Sequence, residues 1–86
     1  MTKEELLIVL IEEAGEVIQA ATKCLRFTWD ENYPSYGINH EILAAEIGDL
    51  IGIVKSLPLN ISIIEQHSAS KLEKVKLMAM KYPSYA

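Results

Sequence analysis

Glu46 lies at the centre of an apolar stripe, and its position constrains the fold of this chain more than any other feature. If residues 40–57 form a helix, Ile42, Leu43 and Leu50 lie three or four residues from Glu46 and share its face. Burial of an unpaired carboxylate is costly in free energy. We therefore expect Glu46 to be protonated, paired with a cationic side chain or bound to a metal ion.

Acidic residues recur in pairs that suit a metal site. Glu13 and Glu16 are three residues apart, as are Glu46 and Asp49, so each pair lies on one face of its own helix. Antiparallel packing of the two helices would bring the four carboxylates to one point. Ligation by oxygen alone suits Mg²⁺ or Mn²⁺. The two pairs therefore predict a site for a divalent cation.

Two other interpretations of the acidic residues compete with the metal site. Glu12, Glu13 and Glu16, taken alone, fit a solvated helix face with salt bridges equally well. A di-iron bundle would use Glu-x-x-His on two helices, and neither His40 nor His67 has a glutamate three residues before it. The apolar surroundings of Glu46 favour the divalent cation over both.

The local sequence predicts an all-α chain with three helices and no strands. Thr2 and Glu5 form a capping-box pattern, and the segment from there to about Arg26 contains no proline and one glycine. Residues 27–38 are rich in turn-forming and aromatic residues and predict a loop.

Two further helices follow this predicted loop. Asn39 is expected to cap the second, which ends at about Leu57 because Pro58 follows. Asn60 is expected to cap the third, which continues to about residue 81 before a second proline. Lys23 and Arg26 lie at the basic end of a narrow polar stripe on the first helix.

Length and composition predict one domain that is completed by a second subunit. The chain has 86 residues, of which 50% are apolar. A chain this short buries only about 60–65% of its unfolded surface, so we expect a homodimer or homotetramer with four-helix-bundle cores. The net charge of −4 and the lack of a Lys/Arg cluster argue against nucleic-acid and membrane partners.

Cysteine content and the first apolar run indicate the compartment. Cys24 is the single cysteine, lies on the apolar side of its helix and is expected to be buried. The apolar run at residues 6–11 is too short for a signal peptide or a membrane span. We therefore expect a cytoplasmic protein.

The two acidic motifs together resemble those of a known enzyme family. The segments Glu12-Glu13-Ala14-Gly15-Glu16 and Glu46-Ile47-Gly48-Asp49 are similar to the E-E-x-x-E and E-x-x-D motifs of the MazG-like, all-α nucleoside triphosphate pyrophosphohydrolases. The resemblance extends over almost the whole chain and implies one domain, residues 1–86. It implies hydrolysis of an NTP or dNTP to the monophosphate and pyrophosphate, with Mg²⁺ or alternatively Mn²⁺ as cofactor.

The resemblance also implies roles for individual residues. Glu13, Glu16, Glu46 and Asp49 would be the metal ligands, and Glu12 would act beside Glu13 in catalysis, supporting the ligands or orienting the attacking water. Many family members have another helix before the first acidic motif. Here that motif begins after eleven residues, so a second subunit would complete the bundle.

Substrate contacts are expected from cationic and aromatic side chains. Phosphate contacts could come from Lys23, Arg26 and Lys71. Alternatively, Lys23 and Arg26 only offset the dipole at the C-terminal end of their helix, and Lys71 only extends past an apolar face to solvent. Trp29, like Tyr33 and Tyr36, could stack on a base or could serve as an interface residue. His40 and His67 are given no catalytic role.

Two functions compete with the pyrophosphohydrolase. One is a non-catalytic helical interaction module whose acidic pairs bind basic residues of a partner. The other is a metal-dependent nucleotide sensor without turnover. Thermal stabilisation by Mg²⁺ or Mn²⁺ separates the first of these from the enzyme, because only converging carboxylates gain stability from the metal.

Overall fold

Three helices make up the regular structure of the chain. The computed structural model describes residues 1–30 and 37–81, which contain α1 (Lys3–Arg26), α2 (Asn39–Ser56) and α3 (Ile61–Lys81) and no strand. The all-α, three-helix prediction is confirmed for these residues. Within them, each helix is too short or too polar to cross a lipid bilayer.

The ends of α1 form as the local sequence predicts. The backbone N–H of Glu5 donates to Thr2 Oγ1, and the backbone N–H of Thr2 donates to Glu5 Oε1, both at 3.1 Å. These two bonds are the reciprocal pair of a capping box and satisfy donors that the first turn leaves free. The helix ends at Arg26, where the backbone N–H of Phe27 still donates to the Lys23 carbonyl at 2.9 Å.

The start of α2 differs from the prediction. Asn39 does not cap this helix: it is the first helical residue, and the preceding Ile38 provides no side-chain cap. The Asn39 side chain is 2% exposed, and its Nδ2 donates to the Thr28 carbonyl at 2.8 Å. This bond and the 3.1 Å bond from the His40 N–H to the Trp29 carbonyl hold the start of α2 against the end of α1. α1 and α2 therefore form an antiparallel hairpin.

The end of α2 and the start of α3 lie close to where the sequence predicts them. α2 ends at Ser56, one residue before the predicted Leu57, and Pro58 follows. The backbone N–H of Ile63 donates to Asn60 Oδ1 at 3.4 Å, so the predicted cap of α3 is confirmed. Residues 27–30, 37 and 38 contain no helix or strand, as predicted, and residues 31–36 of the predicted loop lie outside the described part of the chain.

Packing is limited to one helix pair. α1 packs along α2, whereas α3 packs against neither of them. The molecule measures 41 × 35 × 14 Å, and the shortest dimension is close to the thickness of a single helix. Its radius of gyration of 15.4 Å exceeds the value of about 12 Å for a compact domain of this length. One chain therefore forms a single layer of helices.

A single layer leaves most apolar side chains uncovered. Among the described residues, Ala20 and Leu57 are the buried apolar side chains, and large apolar residues of all three helices are exposed. Cys24, which was expected to be buried, is half-buried, because α2 alone covers only part of its side of α1. Stable domains normally bury such surfaces between two packed layers.

Candidate metal centre

Glu13 lies on the face of α1 that packs against α2. It shares this face with half-buried Leu6, Val17 and Cys24 and with buried Ala20, which lie four, seven or eleven residues away from it. Glu13 therefore lies between apolar residues of this face. The half-buried Glu13 side chain is held at the α1–α2 contact by the packing of its apolar neighbours.

Glu46 lies on the matching face of α2. Ile42, Leu43 and Leu50 are half-buried on the same face, as the sequence predicts, and so is Ile53. Glu46 itself is half-buried rather than buried. Glu46 is therefore more exposed than the sequence predicts. In the single chain, one neighbouring helix covers only part of this face.

Three carboxylates from the two helices converge. Glu13, Glu46 and Asp49 each offer one oxygen atom, and these three atoms all lie within 4.8 Å of one another. We call these residues the acidic triad. Two oxygens bound to one Mg²⁺ are at most about 4.2 Å apart, so modest side-chain rotation would place all three on one ion. Asp49 is exposed, which leaves one side of the triad open to solvent and to a ligand.

The electrostatics of the acidic triad favour the binding of a cation. Partial burial raises the pKa of the Glu13 carboxyl, and the negative charges of Asp49 and Glu46 raise this pKa further. Within residues 1–30 and 37–81, the resolved ion pair joins Lys76 to Glu73, far along α3, and no lysine or arginine pairs with the triad. A cation from outside the described chain would therefore relieve the repulsion among the three carboxylates.

The other two acidic residues of the first motif lie beside the triad. Glu12 and Glu16 are exposed, and both raise the pKa of Glu13 through their charge. Neither contributes to the group of oxygens within 4.8 Å. The structure thus brings together three of the four predicted ligands, with Glu16 one helical turn from Glu13. The ligand role of Glu16 and the catalytic role of Glu12 stay predictions.

The predicted phosphate-binding side chains lie away from the triad in the single chain. Lys23 is exposed in the last turn of α1, ten residues from Glu13, which corresponds to about 15 Å of helix. The guanidinium of Arg26 lies over the ring of Phe27, with its carbon 5.3 Å from the ring centroid. Lys71 is exposed on α3, which has no packing contact with the helices of the triad.

The aromatic candidate Trp29 is part of a stacked pair. Its ring lies 5.3 Å from the ring of His40, at an interplanar angle of 16°, and 57% of its surface is exposed. The exposed ring retains surface for contact with another planar group. Tyr33 and Tyr36 lie outside the described residues.

Sequence reasoning missed two features that position the site. Asn39 joins the helices of the hairpin, and His40 stacks on Trp29, although the first was predicted as a cap and the second was given no catalytic role. An asparagine before an apolar segment is the usual sign of a helix cap. The buried position of its side chain depends on Thr28, which is eleven residues away, and no local pattern encodes that contact.

Comparison with known proteins gave no relative for the chain. No protein-family model, no curated protein and no solved structure matches it. The resemblance to MazG-like pyrophosphohydrolases therefore depends on the two acidic motifs, and the functional argument depends on the geometry of the carboxylates that they contain.

Proposed function

We propose that the protein is a Mg²⁺-dependent nucleoside triphosphate pyrophosphohydrolase that converts an NTP or dNTP to the monophosphate and pyrophosphate. The observation that supports this function is the convergence of Glu13, Glu46 and Asp49, which come from two different helices and from both acidic motifs. A solvated acidic helix face would not require carboxylates from a second helix. Two motifs that meet in space are better explained by a shared ligand.

The residues of the triad fit the proposed metal by their chemistry. All three offer carboxylate oxygen, the ligand type that Mg²⁺ and Mn²⁺ prefer, and they lack a cationic partner within the described residues. Glu13, Glu46 and Asp49 would hold the ion, with Glu16 as a fourth ligand after a change of rotamer. When bound, the ion would neutralise the triphosphate and orient it for attack.

The remaining steps are assigned to side chains of this chain. Glu12, with Glu13, would accept a hydrogen bond from the attacking water and remove its proton as the water oxygen bonds to the α-phosphorus. The bond between the α-phosphorus and the oxygen that bridges to the β-phosphorus would break, and pyrophosphate would leave with both electrons of that bond. The exposed position of Glu12 beside the triad is compatible with contact to solvent.

Phosphate contacts are proposed to come from Lys23, Arg26 and Lys71, and a base contact from Trp29. Because α3 packs on neither helix of the triad, Lys71 would reach a substrate only after α3 packs against a neighbouring subunit. We therefore include a homodimer or homotetramer with four-helix-bundle cores in the proposal. The extensive exposed apolar surface of one chain supports this assembly. The cytoplasmic location and the single-domain organisation stay predictions.

Assay of the released phosphate products tests the enzymatic function. The protein is incubated with Mg²⁺ and a panel of NTPs and dNTPs, and pyrophosphate and orthophosphate are measured separately. Pyrophosphate and nucleoside monophosphate are expected, and Glu46→Gln is expected to abolish their release. Glu73→Gln, which removes an exposed carboxylate from α3, is the matched control and should retain activity. Orthophosphate with nucleoside diphosphate would reject the proposed reaction.

Two outcomes would replace the enzyme with another function. Stabilisation by Mg²⁺ and nucleotide without turnover would indicate a metal-dependent nucleotide sensor. Absence of any effect of Mg²⁺ or Mn²⁺ on thermal unfolding would indicate a helical interaction module, a function that the uncovered apolar side chains of α1, α2 and α3 also favour.

A further inference from the structure

α1 carries a second apolar stripe beside the face that packs against α2. Its residues alternate at spacings of four and three, the heptad pattern of a helix that packs along another helix. They are Leu7, Ile11, Ala14, Ile18, Ala21 and Leu25. Ile11, Ile18 and Leu25 are 71%, 66% and 88% exposed. Neither α2 nor α3 of the same chain covers this stripe.

α2 carries a corresponding stripe. Ala44, Ile47, Ile51 and Val54 follow one another at spacings of three, four and three, and Ile47 and Ile51 are exposed. In each helix the stripe lies about 100° around the axis from the face that packs on the other helix, in the same rotational sense along the chain. Because α1 and α2 are antiparallel, both stripes lie on the same side of the two-helix layer.

The acidic triad opens on the other side of this layer. Asp49 is displaced from the packed face of α2 by about 80° in the sense opposite to the apolar stripe. Glu16 is displaced in the corresponding direction on α1, and both side chains are exposed. The α1–α2 layer therefore has one apolar side and one acidic side.

A third stripe lies on α3 and is continuous with the stripe of α2. Its residues share one face of the helix and none is charged: Ile61, Ile64, Ser68, Leu72, Val75 and Ala79. One apolar groove with a volume of about 380 Å³ is lined by Ile61 and Ile64 of α3 and by Ile51 and Val54 of α2. We call the three stripes together the apolar face.

The amount of exposed surface indicates what covers the apolar face. The chain exposes 6901 Å². A compact monomer of 9.6 kDa exposes about 5,100 Å², so the excess is about 1,800 Å². Two copies that each bury this excess would form an interface of about 3,600 Å², which lies within the range of obligate homodimers. An interface with a second copy is therefore large enough to cover this excess.

We infer that the apolar face binds the same face of a second copy of this chain, in an isologous contact that leaves both acidic triads on the outer sides. Two α1–α2 layers stacked in this way form a four-helix core, and α3 of each copy extends the contact. The inference takes its partner from the homo-oligomer proposed above and is independent of the proposed hydrolysis.

The mass of the full-length protein in solution is the first test. Sedimentation equilibrium without metal or nucleotide should give at least twice the chain mass of 9.6 kDa. A mass of 9.6 kDa would overturn both the inference and the homo-oligomer, and would indicate that α3 folds back onto its own chain. Pyrophosphate release, measured separately, would still decide the enzymatic proposal.

Two leucines of α3 provide a matched test of the surface itself. Leu72 and Leu77 are 56% and 63% exposed, and Leu77 lies on the side of α3 away from the stripe. Leu72→Lys should reduce the mass towards that of one chain, whereas Leu77→Lys should leave it unchanged.

On α1, Ile18→Lys and Ile8→Lys form a second pair, because Ile8 lies outside the heptad positions. Equal effects within each pair would overturn the assigned face while the homo-oligomer stands.

Milder substitutions keep the test decisive if a lysine variant does not fold. Circular dichroism identifies such a variant, and Leu72→Ala and Leu77→Ala then replace the lysine pair. Leu72→Ala should weaken subunit association about tenfold or more, as truncation of a buried interface anchor does, and Leu77→Ala should not. Similar dissociation constants for the two alanine variants would reject the apolar face as the interface.

Discussion

Glu13 and Asp49 lie on different helices, and each presents a carboxylate oxygen within 4.8 Å of the other. Their mutual repulsion contributes to the raised pKa of Glu13, and no cationic side chain among the described residues offsets it. The hairpin holds these groups together because apolar neighbours on both helices pack regardless of the acidic charges. Such an arrangement gains free energy when it binds a divalent cation.

Replacement of Glu46 by glutamine separates a metal ligand from a structural ion pair. Glu46→Gln retains the shape of the side chain and removes its charge, so the metal-free protein should be as stable as the wild type or more stable. Mg²⁺ should raise the melting temperature less, and pyrophosphate release should cease. Glu41→Gln, on the exposed first turn of α2, is the control. Unchanged hydrolysis in a folded Glu46→Gln protein would refute the proposed role.

The ligand set can be ranked by metal titration. Asp49 belongs to the triad and Glu16 does not, although both are exposed. Asp49→Asn should therefore lower the affinity for Mg²⁺ or Mn²⁺ more than Glu16→Gln, as measured by calorimetry or by the metal-dependent shift in melting temperature. Equal losses would mean that Glu16 completes the site when the metal binds.

The raised pKa of Glu13 predicts how stability depends on pH without metal. Burial is the first cause of the raised pKa, followed by the charges of Asp49 and Glu46, so the folded protein binds this proton more tightly than the unfolded chain does. The free energy of unfolding should therefore increase as the pH falls through the folded-state pKa towards the ordinary value of 4.5. Below that value the contribution should be constant.

Glu13→Gln provides the reference for this pH dependence, because other groups titrate in the same range. Thermal unfolding in EDTA should show that the stability advantage of Glu13→Gln over the wild type shrinks as the pH falls from neutral. Saturating Mg²⁺ should reverse the order of the two proteins at neutral pH. A stability difference that does not change with pH would contradict the prediction.

Asn39 should contribute to stability through its long-range hydrogen bond to the Thr28 carbonyl. Asn39→Ala would leave the carbonyl of Thr28 without this donor and would remove a bond that joins the ends of α1 and α2. We expect the free energy of unfolding to fall by about 1–3 kcal/mol, as measured by urea denaturation. Gln66→Ala, at an exposed position of α3, should change it by less than about 0.5 kcal/mol. Comparable effects of the two substitutions would argue against the assigned role of Asn39.

Features that depend on neighbours within a few residues follow from the amino-acid sequence alone. Thr2 with Glu5 and Asn60 with Ile63 form the predicted caps, and Pro58 follows the end of α2, because caps and prolines act on the adjacent turn. The acidic pairs share a helix face for the same reason, since spacings of three and four residues fix the angle around one axis.

The way the helices meet, and the surfaces that they leave uncovered, depend instead on tertiary packing. The axial offset of α1 against α2 brings Glu13 to Glu46 and Asp49 and leaves Glu16 outside the triad. Contacts between residues distant in sequence also bury Asn39, whereas the single-layer arrangement leaves Glu46 half-buried. These outcomes depend on packing between separate elements and on the presence of a second layer, which periodicity along one helix does not encode.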